Sequence, residues 1–244
     1  MDFLDIFNIS ERNIEILNPS SEEKIITLGK YLGLRPGSSI LDFGCGYAEP
    51  LKLWAQTYGI GGIGVDVRPH ACERATNKLK AAGLSEQIQI VCSEGAKLEY
   101  APNSFDAVTC IGASFIWGGF RDALQAMKPA LKEGGRIGIG EPYWISGNVP
   151  EVYAAQYPGF YTECQILQII REEGFELGYL VRASHEDWDR YEGGNWDGIL
   201  QWLKENSDHP DREQVMNHMR TDQDNYLNYG REFLGWSMYV LYSI

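Results

Sequence analysis

The sequence predicts a doubly wound α/β fold, a mostly parallel sheet with helices on both faces. Short apolar runs alternate with amphipathic stretches from Ser20 to Val181. Strands joined by helices in this way imply right-handed crossovers and parallel pairing. Glycine and proline punctuate the junctions, as at Pro36-Gly37, Glu49-Pro50 and Gly134-Gly135. With 244 residues, 44% hydrophobic and 23% charged, the chain can bury the core of one such domain.

Each element has a local reason. Ser20 to Leu32 reads as a helix: Ser20 and Glu23 have capping-box spacing, and Ile25, Ile26, Leu28 and Leu32 form an apolar face. Ser39 to Phe43 is a buried strand, and Glu49-Pro50 opens a helix running to about Tyr58. A second strand covers Gly62 to Asp66, and the helix that Pro69 starts ends at Gly83. Strands follow at Gln87 to Cys92 and Phe105 to Ile111, then a helix from Phe120 to Leu131. The turn Lys132 to Gly135 leads into a strand from Arg136 to Glu141. A helix at Thr162 to Glu173 and a strand at Phe175 to Val181 complete the regular part.

The last sixty residues break the rhythm. Residues 185 to 232 hold twelve acids and five bases, a net charge of −7 out of −13 for the chain. Four of the seven tryptophans lie between Trp188 and Trp236, and Phe233 to Ile244 reads as a closing strand. The segment is therefore expected to be an insertion between the last two strands, within a single domain spanning 1–244.

Composition narrows the functions. The acid excess and the lack of basic clusters argue against nucleic acid as a partner and favour a small neutral or cationic molecule. Five scattered cysteines with no C-x-x-C pair argue against a disulfide framework or structural zinc, and no H-x-x-x-H spacing suggests another metal. No apolar run approaches a membrane span, and the acidic N-terminus does not read as a signal peptide. A cytoplasmic protein is expected.

Ligands in a sheet of this kind sit beyond the carboxyl ends of the strands. Leu41-Asp42-Phe43-Gly44-Cys45-Gly46 puts an acid inside the first strand and two glycines in the turn after it. Asp66 ends the second strand, where a carboxylate can accept both hydroxyls of a ribose. A dinucleotide loop would need a third glycine where this chain has Glu49, whose charge at a helix start would oppose a pyrophosphate.

Ile40 to Gly46 resembles the first motif of the class I S-adenosylmethionine-dependent methyltransferases, and the likeness extends over residues 20 to 182. It is nearest to the small-molecule branch that includes the ubiquinone and menaquinone enzymes. The resemblance implies a Rossmann-like, seven-stranded sheet whose last strand returns antiparallel. It implies that S-adenosylmethionine is bound, with Gly44, Cys45 and Gly46 at its methionyl part, Asp42 orienting the loop, and Asp66 and Val67 at the ribose. Glu94-Gly95 match the position facing the adenine amine, although the family usually has Asp-Ala there. Ile111-Gly112 match a backbone contact near the sulfonium.

The acceptor side is less determined. Glu141-Pro142-Tyr143-Trp144 follows the fifth strand, which makes Glu141 the first candidate general base and Tyr143 and Trp144 candidate acceptor contacts. His185 is a second candidate base. Residues 185–232 are expected to cap the acceptor, with Trp188 and Trp196 against it. The reading is methyl transfer from S-adenosylmethionine to a small-molecule acceptor. Its rivals are a non-catalytic binder of the same ligand and an NAD-dependent oxidoreductase.

Overall fold

The computed structural model describes residues 1–243. Seven strands form one sheet in the order β3-β2-β1-β4-β5-β7-β6. They are β1 Ser39–Phe43, β2 Gly61–Asp66, β3 Ile88–Cys92, β4 Phe105–Ile111, β5 Leu131–Trp144, β6 Phe175–Arg182 and β7 Leu234–Ser243. Strands β1 to β5 pair in parallel, and β7 runs antiparallel between β5 and β6. The chain moves outward from β1 to β3 and then returns beside β1 as β4. That reversal opens a crevice at the carboxyl ends of β1 and β4.

Ten α-helices accompany the sheet in the described residues: α1 Phe3–Ser10, α2 Glu22–Tyr31, α3 Glu49–Tyr58, α4 Pro69–Ala81, α5 Phe120–Met127, α6 Glu151–Ala154, α7 Glu163–Glu172, α8 His185–Glu205, α9 Arg212–Asn225 and α10 Arg231–Phe233. Alternating side chains of the strands feed two cores. Ile40 and Val240 join Ile25, Leu28, Leu51, Trp54 and Leu79 on one face. Leu41, Phe43, Val108 and Ile139 join Leu124, Met127 and Ile170 on the other. A third cluster, Ile9 with Ile199, Leu203, Val215 and Met219, knits α1 to α8 and α9.

Several boundaries differ from expectation, among them the start of β5, which begins at Leu131 and takes in the expected turn Lys132 to Gly135 because Leu131 already pairs with Phe105. Helix α2 is capped by Ser21, whose side chain accepts the Lys24 N–H, and not by Ser20 with Glu23. Ser20 is buried and turns its hydroxyl toward the Met238 sulfur, so it cannot serve as the cap. Helix α5 ends at Met127 and passes into a tight turn at Lys128–Ala130, because Pro129 cannot donate to a continuing helix. Strand β5 does not stop at Glu141 but runs to Trp144, paired with β7. Pro142 is tolerated there since the β4 flank has already ended at the Ile111–Gly140 pair.

The expected insertion between β6 and β7 is helical, built from α8, α9 and α10. Its partner in packing, α1, lies outside the 20–182 core drawn from sequence, so the insertion packs with α1 as one helical layer.

Candidate functional site

The first loop is tied down from both strands it touches. The N–H groups of Gly44 and Cys45 both donate to the carbonyl of Val65, at 2.8 and 3.0 Å. Gly44 has φ +69°, and a Cβ there would lie 2.4 Å from that of Ala113, so only glycine lets the loops after β1 and β4 meet. The Gly46 N–H donates to Asp66 Oδ2 at 2.9 Å, and the Arg68 N–H to Asp66 Oδ1 at 2.9 Å. Two backbone amides thus fix the Asp66 carboxylate, Arg68 Nε adds a longer bond to Oδ1 at 3.4 Å, and Oδ2 keeps a lone pair for another donor.

Asp42 is buried inside β1, where its Oδ1 accepts the Thr109 hydroxyl at 2.6 Å. Burial pushes its carboxyl up to about 7; the Thr109 bond opposes this and the charge of Asp66 adds to it. Cys45 is buried and its thiol is pushed well up by burial, then by Asp42 and Asp66, which leaves it a packing residue.

A small cavity of about 30 Å³ is lined by Asp42, Gly44, Cys45, Gly46 and Ile111. Leu17 and Asn18 close it from the N-terminal side. Asn18 is 6% exposed, and its carboxamide oxygen has no hydrogen-bond partner. An unpaired buried acceptor beside a glycine loop fits a ligand carrying N–H donors, such as the ammonium of an amino-acid moiety.

Other expected contacts fall differently. Gly95 is buried against Phe43 and Ile116, while Glu94 is exposed and pairs with Lys97 at 2.8 Å. Val67 is 48% exposed. Glu49 lines the small cavity, yet Lys52 at 2.5 Å and Lys78 at 2.6 Å compensate its charge. The expected repulsion of a pyrophosphate by a bare Glu49 charge is therefore corrected.

A second cavity of about 590 Å³ opens beside the first and shares Leu17 and Asn18 with it. Gly112, Ser114, Glu141 and Trp236 form its floor. The Gly112 N–H donates to Gly140, and a Cβ on Gly112 would come within 3.0 Å of Trp236. Glu141 Oε1 accepts the Ser114 N–H at 3.3 Å, and burial pushes its carboxyl up to about 7. Such a group exchanges a proton near neutrality, which suits a base.

Tyr153, Tyr157 and Phe160 make one wall, and α8 and α9 supply the roof. Trp188, Tyr191, Glu192 and Asn195 line the cavity from α8, and His218, Asp222 and Asn225 from α9. Trp196 does not line it; its ring packs on Tyr226 and joins the cluster around Ile199. Tyr143 is buried over Gly235, and Trp144 stands behind the wall, against Tyr153, Tyr157 and Phe160. Neither lines the cavity: Tyr143 is turned onto Gly235 and Trp144 onto the rings of the wall. His185 is exposed on the first turn of α8, apart from the cavity lining.

Asn18, Ser114, Tyr153, Tyr157, Glu192, His218, Asp222 and Trp236 escaped sequence reasoning. A signal existed for some: 188, 191, 192 and 195 share one helical stripe, and 218, 222 and 225 another.

The family described as methyltransferase domain matches residues 40–135. The uncharacterized protein YjhP of Escherichia coli (strain K12) is 34% identical, with 99% of each chain covered. Two solved structures are similar throughout. The S-adenosylmethionine-dependent methyltransferase of Thiobacillus denitrificans, in complex with S-adenosylhomocysteine, has a TM-score of 0.93 and 32% identity over 100% of both chains. The corresponding protein of Geobacter sulfurreducens, in the same complex, has a TM-score of 0.92 and 30% identity over 98% of both.

Proposed function

The chain belongs to the S-adenosylmethionine-dependent methyltransferases, and on that premise we propose that its acceptor is a small molecule seated in the 590 Å³ cavity, with Glu141 as general base. S-adenosylmethionine is the methyl donor; when bound it supplies a methyl group on a positively charged sulfur that departs as a neutral thioether. On this reading Gly44 to Gly46, Asn18 and Asp66 hold the donor, and Gly112 separates it from the acceptor chamber. The observation that carries the reading is that Leu17 and Asn18 line both cavities, with Glu141 on the floor of the larger one.

The residues of the chain then act mainly by placement. Holding two reactants in line can remove about 7–11 kcal/mol from a barrier, so no elaborate catalytic apparatus is required. The volume suits a drug-sized molecule and not a polymer. Glu141 would take the acceptor's proton where the attacking atom is oxygen or carbon. The acid excess speaks against a nucleic-acid acceptor. Among the described residues all five cysteines are free, which suits the reducing cytoplasm we assign.

The test begins with methyl-labelled S-adenosylmethionine and a fractionated metabolite extract. Label in the small-molecule fraction is expected, and label confined to protein or nucleic acid would overturn the acceptor assignment. With that acceptor in hand, turnover should rise as pH passes through about 7 and Glu141 ionises. Glu141→Gln should lower kcat by roughly 10²–10⁴-fold and flatten that rise. A full rate with an unshifted profile would remove Glu141 as base.

A further inference from the structure

The end of the large cavity farthest in composition from the donor loop has its own chemistry. Three carboxylates line the cavity, Glu141, Glu192 and Asp222, and no lysine or arginine does among the described residues. The rings of Tyr153, Tyr157 and Tyr226 line it as well. These rings are held in place by their neighbours. Tyr153 stacks on Tyr229 at 5.0 Å, Tyr157 on Phe160 at 4.9 Å, and Tyr226 on Trp188 at 6.3 Å. The cavity also holds unmet polar capacity, since Trp236 is 5% exposed and its indole N–H has no partner.

We propose that this roof is a cation site, in which Glu192, Asp222 and the rings of Tyr153, Tyr157 and Tyr226 receive a positively charged group carried by the acceptor. The proposal rests on the acceptor reading of the cavity and adds the acceptor's charge to it. Aromatic faces attract a cation through their negative π surface, most strongly where water is excluded. A carboxylate beside them supplies net charge, and the absence of a basic side chain leaves that charge uncompensated except by His218.

Among the described residues His218 is the one competing positive group lining the roof. Its Nε2 lies 3.0 Å from Asp222, and that hydrogen bond raises its pKa above the ordinary histidine value. The other groups facing Glu192 are Asp222 on α9 and the hydroxyls of Tyr153, Tyr157, Tyr191 and Tyr226. Burial, and then the charge of Asp222, pushes the Glu192 carboxyl up to about 8. Raising the pH therefore removes a proton from His218 and one from Glu192. Both losses make the roof more negative, so affinity for a cation rises between pH 6 and 9, with release of a proton on binding near neutrality.

The experiment uses the full chain with S-adenosylhomocysteine present, and choline against its uncharged isostere 3,3-dimethylbutan-1-ol, followed by calorimetry. Choline should bind at least tenfold tighter than the isostere, and its affinity should climb with pH. Glu192→Gln and Asp222→Asn should each lower choline affinity at least tenfold, leaving the isostere and S-adenosylhomocysteine unaffected. Glu192→Gln should also flatten the pH dependence. Equal affinity for the two probes, no binding of choline, or an unchanged Glu192→Gln variant would overturn the cation site. Selective choline binding by a chain that fails to bind S-adenosylhomocysteine would uphold the cation site and overturn the reading of function beneath it.

Discussion

Asp42→Asn should make the protein more stable at pH values above about 4, with the gain complete once the pH passes about 7. Asp42 is 2% exposed within the central strand, and burial pushes its carboxyl from 3.8 to about 7. An acid whose pKa rises on folding favours the folded state while protonated. That contribution is whole below about pH 4 and is lost as pH climbs through about 7. Across that interval, at about 1.4 kcal/mol per pH unit, the unfavourable term grows to about 4 kcal/mol. A typical domain is stable by only about 5–15 kcal/mol, so the effect is large. Asparagine has the same shape, carries no charge, and its Oδ1 can still accept the Thr109 hydroxyl. The variant and the parent should therefore match near pH 4, and the variant should lead by about 2–4 kcal/mol at pH 8. Urea unfolding followed by tryptophan fluorescence across that range measures the difference, and all other titrating groups cancel between the two proteins. A difference that does not change with pH would show that the carboxylate ionises freely within the sheet, and the burial argument would fail.

Two further substitutions bear on the binding sites. Asp66→Ala removes the acceptor of the Gly46 and Arg68 N–H groups together with the assigned ribose contact, so S-adenosylhomocysteine affinity should drop by about 2–4 kcal/mol. Calorimetry on the folded variant decides this, and an unchanged affinity removes the ribose assignment. Trp188→Ala and Trp196→Ala should part company, because Trp188 lines the large cavity whereas Trp196 packs on Tyr226 and the cluster around Ile199. The first should lose acceptor turnover at intact S-adenosylhomocysteine affinity, and the second should lower the unfolding free energy by about 2 kcal/mol. Turnover lost equally in both, with equal destabilisation, would mean that the cap is only structural.

Much of the sheet was legible because its strands are buried on both faces and read as apolar runs cut by glycine and proline. Ile40 and Leu41 look the same in sequence although they feed opposite cores. The cap of α2 was misplaced by one residue because Ser20 and Ser21 are chemically equal. Only the position of Met238, more than two hundred residues away, decides which one turns inward. Tyr143 and Trp144 misled for a related reason: Pro142 reads as a strand end, and nothing local reveals that β7 pairs beyond it. The glycine loop could be read from sequence because the Gly46 N–H and Asp66 meet within one βαβ unit, whereas the large cavity is assembled from α8, α9, the N-terminus and the segment after β5.

The N-terminal segment joins these two halves. Glu11 accepts from Arg68 at 2.6 Å, and Arg68 in turn leans on Asp66, so the segment reaches the assigned ribose carboxylate. The next residues bind the cap: Arg12 pairs with Glu205 at 2.8 Å, and Asn13 donates to Asp197 at 3.2 Å. From the cap side, Arg190 donates to the carbonyl of Ser20 at 2.6 Å, and Lys24 pairs with the buried Asp187. Between these anchors lie Leu17 and Asn18, the two residues common to both cavities. A strap held at one end by the donor loop and along its length by the acceptor roof cannot shift at one site without loading the other. Filling the donor site should therefore stiffen the roof, since Glu11–Arg68 on one side and Arg12–Glu205 on the other anchor the same short segment.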